Sequence, residues 1–205
     1  MKYLYLTEGK NDCTFLNIIL KQNYLIEPSK IKLYFNEGVK DEKRMNESIL
    51  IREFLGEFSP HDVLIKSERG KQNLISLLGK ICIHQTQNDW ELKLTTVFDH
   101  DGKDPTEEFA AIFTAVRRTH PQLTFELISD TPRKDVGHTA SYSILKISGN
   151  RRVELNKIHF FCFFESLEKV IERKFGKDVP IVEGIINLSK CLEGIHFLPE
   201  LNASR

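Results

Sequence analysis

A chain of 205 residues with 40% hydrophobic content can bury one sizeable core and is too short for two full domains joined by a long linker. Lysine plus arginine and aspartate plus glutamate each number 29, so bulk charge offers nothing to attract nucleic acid and any such partner must be held locally. Cys13, Cys82, Cys162 and Cys191 stand far apart with no C-x-x-C pair, which reads as buried reduced thiols of a cytoplasmic protein, and the opening MKYLYLTEGK is too short an apolar run for a signal peptide or a membrane span.

Residues 2–7 (KYLYLT) predict a short strand that stops at Glu8-Gly9. A helix follows, capped by Asn11 or Asp12, with Phe15, Leu16, Ile19 and Leu20 at helical spacing. Residues 31–35 and 63–66 read as strands and 47–58 as a helix. Past Arg69-Gly70, residues Leu74, Leu77, Leu78 and Ile81 form one buried helix face. Residues 92–98 (LKLTTVF) are the clearest strand and run straight into Asp99-His100-Asp101-Gly102. Asp104 then caps a helix with Pro105 at its first position, Glu107 and Glu108 in its first turn, and Phe109, Ile112, Phe113 and Val116 on its core face.

A further strand at 123–128 completes an alternation that argues for an α/β fold, a mostly parallel central sheet flanked by helices. The stretch from Asp130 to Thr139, with its proline and glycine, reads as a loop. Residues 142–147 and 153–164 flank Ser148-Gly149-Asn150 as a β-hairpin appended to the sheet, and helices near 165–175 and 181–193 follow. We read residues 1–130 as the α/β core and 131–205 as a C-terminal extension packed on it.

In an open parallel sheet, ligands bind beyond the carboxyl ends of the strands, where Glu8, Asp99 and Asp101 all fall. Hard cations such as Mg²⁺ take a few carboxylate oxygens and keep several waters, a demand that two aspartates one residue apart on a strand-terminal turn can meet. A third carboxylate can share the metal or act as general acid or base. Asp and Gly also follow strands merely because they suit turns, so D-x-D-G alone is about even evidence; Glu8-Gly9 at the end of the first strand strengthens it.

These residues resemble a family. Thr7-Glu8-Gly9-Lys10-Asn11-Asp12 is similar to the E-G-x-x-D signature of TOPRIM domains, and Val97-Phe98-Asp99-His100-Asp101 to their hydrophobic-strand D-x-D signature. Arg69-Gly70-Lys71-Gln72-Asn73-Leu74 resembles the turn found between these motifs in small stand-alone TOPRIM proteins. The resemblance covers roughly residues 1–130 and implies a TOPRIM-like, Rossmann-like sheet in which Asp99 and Asp101 bind Mg²⁺ or Mn²⁺. Glu8 is then a further metal ligand or the general acid/base in cleavage of DNA or RNA phosphodiesters. Asp12 matches the last signature position, and Lys10 and Asp104 are supporting candidates. The chain has no room for a topoisomerase's tyrosine domain or a primase's accessory modules, which leaves a nuclease akin to the overcoming-lysogenisation-defect enzymes, or RNA processing. An ATPase or helicase partner protein fits the same resemblance, and a membrane does not. The pattern departs at Lys103, where some members carry a third acid and this chain has Asp104 one place later, which weakens the case for a second metal.

Two other readings stay open. The same fold can serve as a regulatory module that holds metal and a nucleotide or nucleic-acid end without turnover, which neutral net charge favours. Thr96-Val97-Phe98-Asp99-His100-Asp101-Gly102 also resembles the D-x-D-G motif of haloacid-dehalogenase phosphatases, although Lys103 stands where a Thr or Val normally follows. Arg117-Arg118, Arg133-Lys134 and Arg151-Arg152 are local basic pairs that bear on nucleic acid only if the fold brings them to the acidic site. His100, between the two aspartates, faces away from them in a strand-like stretch and is not a ligand.

Overall fold

A computed structural model describes residues 1–35, 50–87, 92–99, 104–133 and 136–192. Its centre is a seven-stranded sheet built from β1 (Lys2–Thr7), β2 (Ile31–Phe35), β3 (Val63–Ser67), β4 (Leu92–Asp99), β5 (Leu123–Arg133), β6 (Gly137–Ser148) and β7 (Arg151–Phe163), in the order β2-β3-β1-β4-β7-β6-β5. The pairs β2·β3, β3·β1, β1·β4 and β4·β7 are parallel, and β7·β6 and β6·β5 are antiparallel. It follows that β6 alone runs against the other strands, and the carboxyl ends of all the rest lie along one edge.

Helices cover both faces, as alternation along the strands requires. On one face, α2 (residues 50–55), α3 (Lys71–Gln87) and α4 (Pro105–Thr119) bury Phe54, Leu74, Leu78, Phe109 and Ile112 against Leu4, Leu6, Leu94, Phe98 and Phe160. On the other, α1 (Lys10–Gln22), α5 (Leu167–Phe175) and α6 (Ile181–Cys191) bury Phe15, Leu16, Ile19, Leu167, Ile185 and Leu188 against Tyr5, Ile65, Val97, Phe161 and Phe163. None of the described helices is long and apolar enough to cross a membrane.

The predicted strands at 2–7, 31–35, 63–66 and 92–98 and the helix faces of α3 and α4 are all present. Three expectations need correction. The α1 cap is Gly9, not Asn11 or Asp12; Asp12 sits at the third helical position, and its carboxylate turns back to accept from the Gly9 N–H at 2.8 Å. The stretch 130–139 is not a loop throughout: β5 runs on to Arg133 and β6 begins at Gly137, with Pro132 opposite His138. Proline is tolerated there because β5 is the edge strand, and Gly137 is required not for a turn but for close packing, since a Cβ there would collide with the carbonyl oxygen of Cys162. Third, Cys191 is exposed, whereas Cys13, Cys82 and Cys162 are buried as expected. Burial pushes the thiols of Cys13 and Cys82 up to about 12, which suits packing and not nucleophilic chemistry.

The hairpin exists and is longer than its sequence signal, with Ser148 opposite Arg151 across Gly149-Asn150 and Gly149 at φ 58°. It joins the sheet through β7, which lies directly beside β4, so residues on both sides of position 130 build one continuous sheet.

Candidate functional site

Register dictates what meets at the carboxyl edge. Thr7 of β1 is level with Val97 of β4 and Ser67 of β3, and Asp99 of β4 is level with Phe163 of β7. Glu8 continues the ladder one step past β1, its N–H donating to the Val97 carbonyl at 3.2 Å. Glu8 and Asp99 therefore leave adjacent parallel strands, whose axes are about 4.8 Å apart. Oε2 of Glu8 and Oδ1 of Asp99 are both shut off from solvent.

Helix α1 brings a third carboxylate. Asp12 is only 5% exposed. Burial holds its carboxyl well above the usual carboxylate range, the charge of Asp99 pushes it further the same way, and Glu168 and Glu8 add to this against the lowering effect of the Gly9 N–H. Glu168 arrives from the first turn of α5, where its Oε1 accepts from Asn11 Nδ2 at 2.5 Å. A patch in which three carboxylates raise the proton affinity of a fourth, Asp12, is a place where a bound cation would relieve repulsion.

The turn between β3 and α3 holds the site from the side. The Glu68 N–H donates to the Thr7 carbonyl at 3.0 Å and the Gly70 N–H to the Glu8 carbonyl at 2.9 Å. Arg69 and Gly70 both adopt positive φ, 55° and 109°, which bends the chain sharply enough to place Lys71 at the head of α3. Lys71 Nζ donates to the Asp99 carbonyl at 2.8 Å and pairs with Glu108 Oε1 at 2.8 Å. Beneath the same turn, Lys66 and Glu68 form a wholly buried ion pair with the ammonium 5.6 Å from the Tyr34 ring centre.

Of the predicted site residues, Glu8, Asp12 and Asp99 converge. Asp101, with His100 and Lys103, lies outside the described residues. Among the described residues, no three Asp, Glu, His or Cys side chains come close enough to enclose a metal by themselves. Lys10 is exposed with its Nζ 5.6 Å from the Phe35 ring centre, on the β2 side of the same edge. Asp104 is the N-cap of α4, its carboxylate accepting from the Thr106 N–H at 2.8 Å, and the Thr106 hydroxyl and backbone hold its carboxyl below the usual range. It is not among the charges that act on Asp12. Glu108 and Lys71 are the additions, and the Glu165-Ser166-Leu167-Glu168 helix start brings the Glu168 carboxylate to the site. Both glutamates carried a sequence signal, an acid in the first turn of a helix, which a helix dipole explains equally well. Lys71 was marked only as part of the Arg69-Gly70-Lys71-Gln72-Asn73-Leu74 segment, with no role of its own.

Comparison with family models, with curated proteins and with solved structures found no match to this chain.

The basic pairs separate by position. Arg117-Arg118 end α4 and Arg151-Arg152 open β7, both at the edge opposite the acidic patch, and Arg152 donates to Glu126 at 2.7 Å. Arg133 ends β5 level with Gly137, which is level with Phe163 and so with Asp99; its backbone lies on the acidic edge, three strands or about 14 Å away. Lys134 lies outside the described residues.

Proposed function

We propose that this chain is a Mg²⁺- or Mn²⁺-dependent protein of the TOPRIM type that acts on nucleic-acid phosphodiesters, as a nuclease or RNA-processing enzyme. One observation carries the reading: Glu8 and Asp99 end neighbouring parallel strands, and Asp12 is buried against the charge of both. The order and spacing of the two signature segments support the same conclusion. Asp99, Asp101 and Glu8 are the residues that would hold the cation. Such a cation, when bound, neutralises charge building on the phosphate and lowers the pKa of an attacking water.

The side chains divide the remaining work. Lys71 holds the Asp99 backbone through its carbonyl at the strand end from which the carboxylate would meet the cation. Glu8 has one oxygen enclosed and sits where it can accept a proton from the attacking group or give one to the leaving oxygen. Asp12, whose proton affinity is raised by burial and by its acidic neighbours, would gain from a cation that neutralises them. Lys10, exposed at the head of α1, would meet a phosphate oxygen of the substrate.

A second reading, metal and nucleic-acid-end binding without turnover, is favoured by the position of Arg117-Arg118 and Arg151-Arg152 away from the acidic edge. Calorimetry with Mg²⁺ and Mn²⁺ on wild type and on Asp99→Ala/Asp101→Ala, followed by nicking assays on supercoiled DNA and structured RNA, separates the two. Binding and cleavage that vanish together support the enzyme; binding without cleavage supports the module; no binding in the wild type refutes both. Glu8→Gln abolishes a TOPRIM activity and leaves a phosphatase of the haloacid-dehalogenase type largely intact.

A further inference from the structure

We propose that the Lys71–Glu108 pair is the positioning device of the acidic site, fixing Asp99 relative to Glu8 without adding net charge; the inference rests on the metal-site reading above. The turn at Arg69-Gly70 reaches both strand ends that supply carboxylates. Its backbone holds one of them, through the Gly70 N–H on the Glu8 carbonyl, and the next side chain holds the other, through Lys71 Nζ on the Asp99 carbonyl. That carbonyl belongs to the peptide bond leading out of β4 toward Asp101.

Charge explains why two residues are needed. A lone ammonium at this spot would repel the cation that the carboxylates are there to hold. Glu108, from the first turn of α4, cancels it at 2.8 Å, and the Phe98 ring lies 5.7 Å below the ammonium on the third side. Both side chains are largely buried, Lys71 17% and Glu108 6% exposed, so the ion pair is held in one geometry and not left to solvent. The pair also ties together α3, α4 and β4, the elements that surround this side of the edge.

The test is calorimetric Kd for Mg²⁺ on the full chain, with Lys71→Met/Glu108→Gln, which removes both charges together and leaves the net charge unchanged. Loss of an orienting partner of a metal ligand predicts a Kd weaker by about 10- to 100-fold in a folded protein. Lys71→Arg keeps the charge and donors but presents a planar fork in place of a compact ammonium, so it should recover part of the loss and not all of it. A folded double variant with wild-type Kd overturns the positioning role. Should the double variant not fold, Glu108→Gln alone is read: it leaves the ammonium uncompensated beside the site, so Kd should be weaker than wild type at low salt with the gap narrowing as salt rises, and a Kd equal to wild type overturns the proposal. A wild type that binds no cation while folded refutes the metal site itself. A wild type that binds, an Asp99→Ala that does not, and a double variant that binds as wild type refute the positioning role alone.

Discussion

His159 should contribute a loss of folding stability as pH drops below neutrality. Its ring is 8% exposed on β7, with Nδ1 and the Ser141 hydroxyl 2.7 Å apart. Burial first, and then the charges of Lys93 and Lys157, lower its pKa from 6.5 to about 4. In the unfolded chain the imidazole takes up a proton near pH 6.5, while the folded protein resists it until about pH 4. The unfolded state therefore binds more protons throughout that window, and stability is lost as pH falls through it. At about 1.36 kcal/mol per pKa unit, the whole window is worth about 3 kcal/mol, of which about 2 kcal/mol appears between about pH 7.5 and pH 5. Carboxylates titrate in part of the same range, so the quantity to measure is a difference. Urea unfolding at both pH values, on wild type and on His159→Gln, should show wild type losing about 2 kcal/mol more than the variant. Equal losses in the two proteins would refute the claim that His159 is buried in its neutral form.

Two further outcomes follow from buried charge. Asp12→Asn removes one carboxylate from a patch in which Asp99, Glu168 and Glu8 raise its proton affinity, while an amide oxygen can still accept from the Gly9 N–H. Thermal unfolding should show stabilisation on the order of 1 kcal/mol, and calorimetry should show Mg²⁺ affinity falling by about tenfold or more; changes of the same sign would contradict the cation site. Lys66→Met strands Glu68 in the core and should cost about 3–5 kcal/mol in urea unfolding, whereas Lys66→Met/Glu68→Leu should recover most of that loss.

The strands and helices around the acidic edge were legible in the sequence because each carries its own periodic signal. β1 and β4 are apolar runs cut off by Glu8-Gly9 and Asp99, and α3 and α4 place Leu74, Leu78, Phe109 and Ile112 at helical spacing. The far side of the sheet was less so. The last residues of β5 are exposed and polar, and nothing local distinguishes such an edge strand from a loop. Strand order is a long-range property, and no pattern within residues 151–163 announces that they lie beside β4. The same limit applies to the site. Glu8 and Asp12 were visible as a motif, but Lys71 reaches Asp99 across 28 positions of sequence and Asn11 reaches Glu168 across 157. Such contacts exist only once the layers are assembled.

The single reversed strand has a consequence for the order in which the chain can complete itself during synthesis. β5 is made before β6 and β7, yet its partner is β6, and β6 is joined to the rest only through β7 on the open side of β4. Until β7 has been made, the nascent protein carries an unclosed β4 edge, and β5, alone or paired with β6, has no sheet to join. Both are templates for pairing with another chain. Fragments that stop between residues 133 and 151 should therefore be more prone to aggregate than the full chain, and the hairpin turn at Gly149-Asn150 is the point from which the sheet can close.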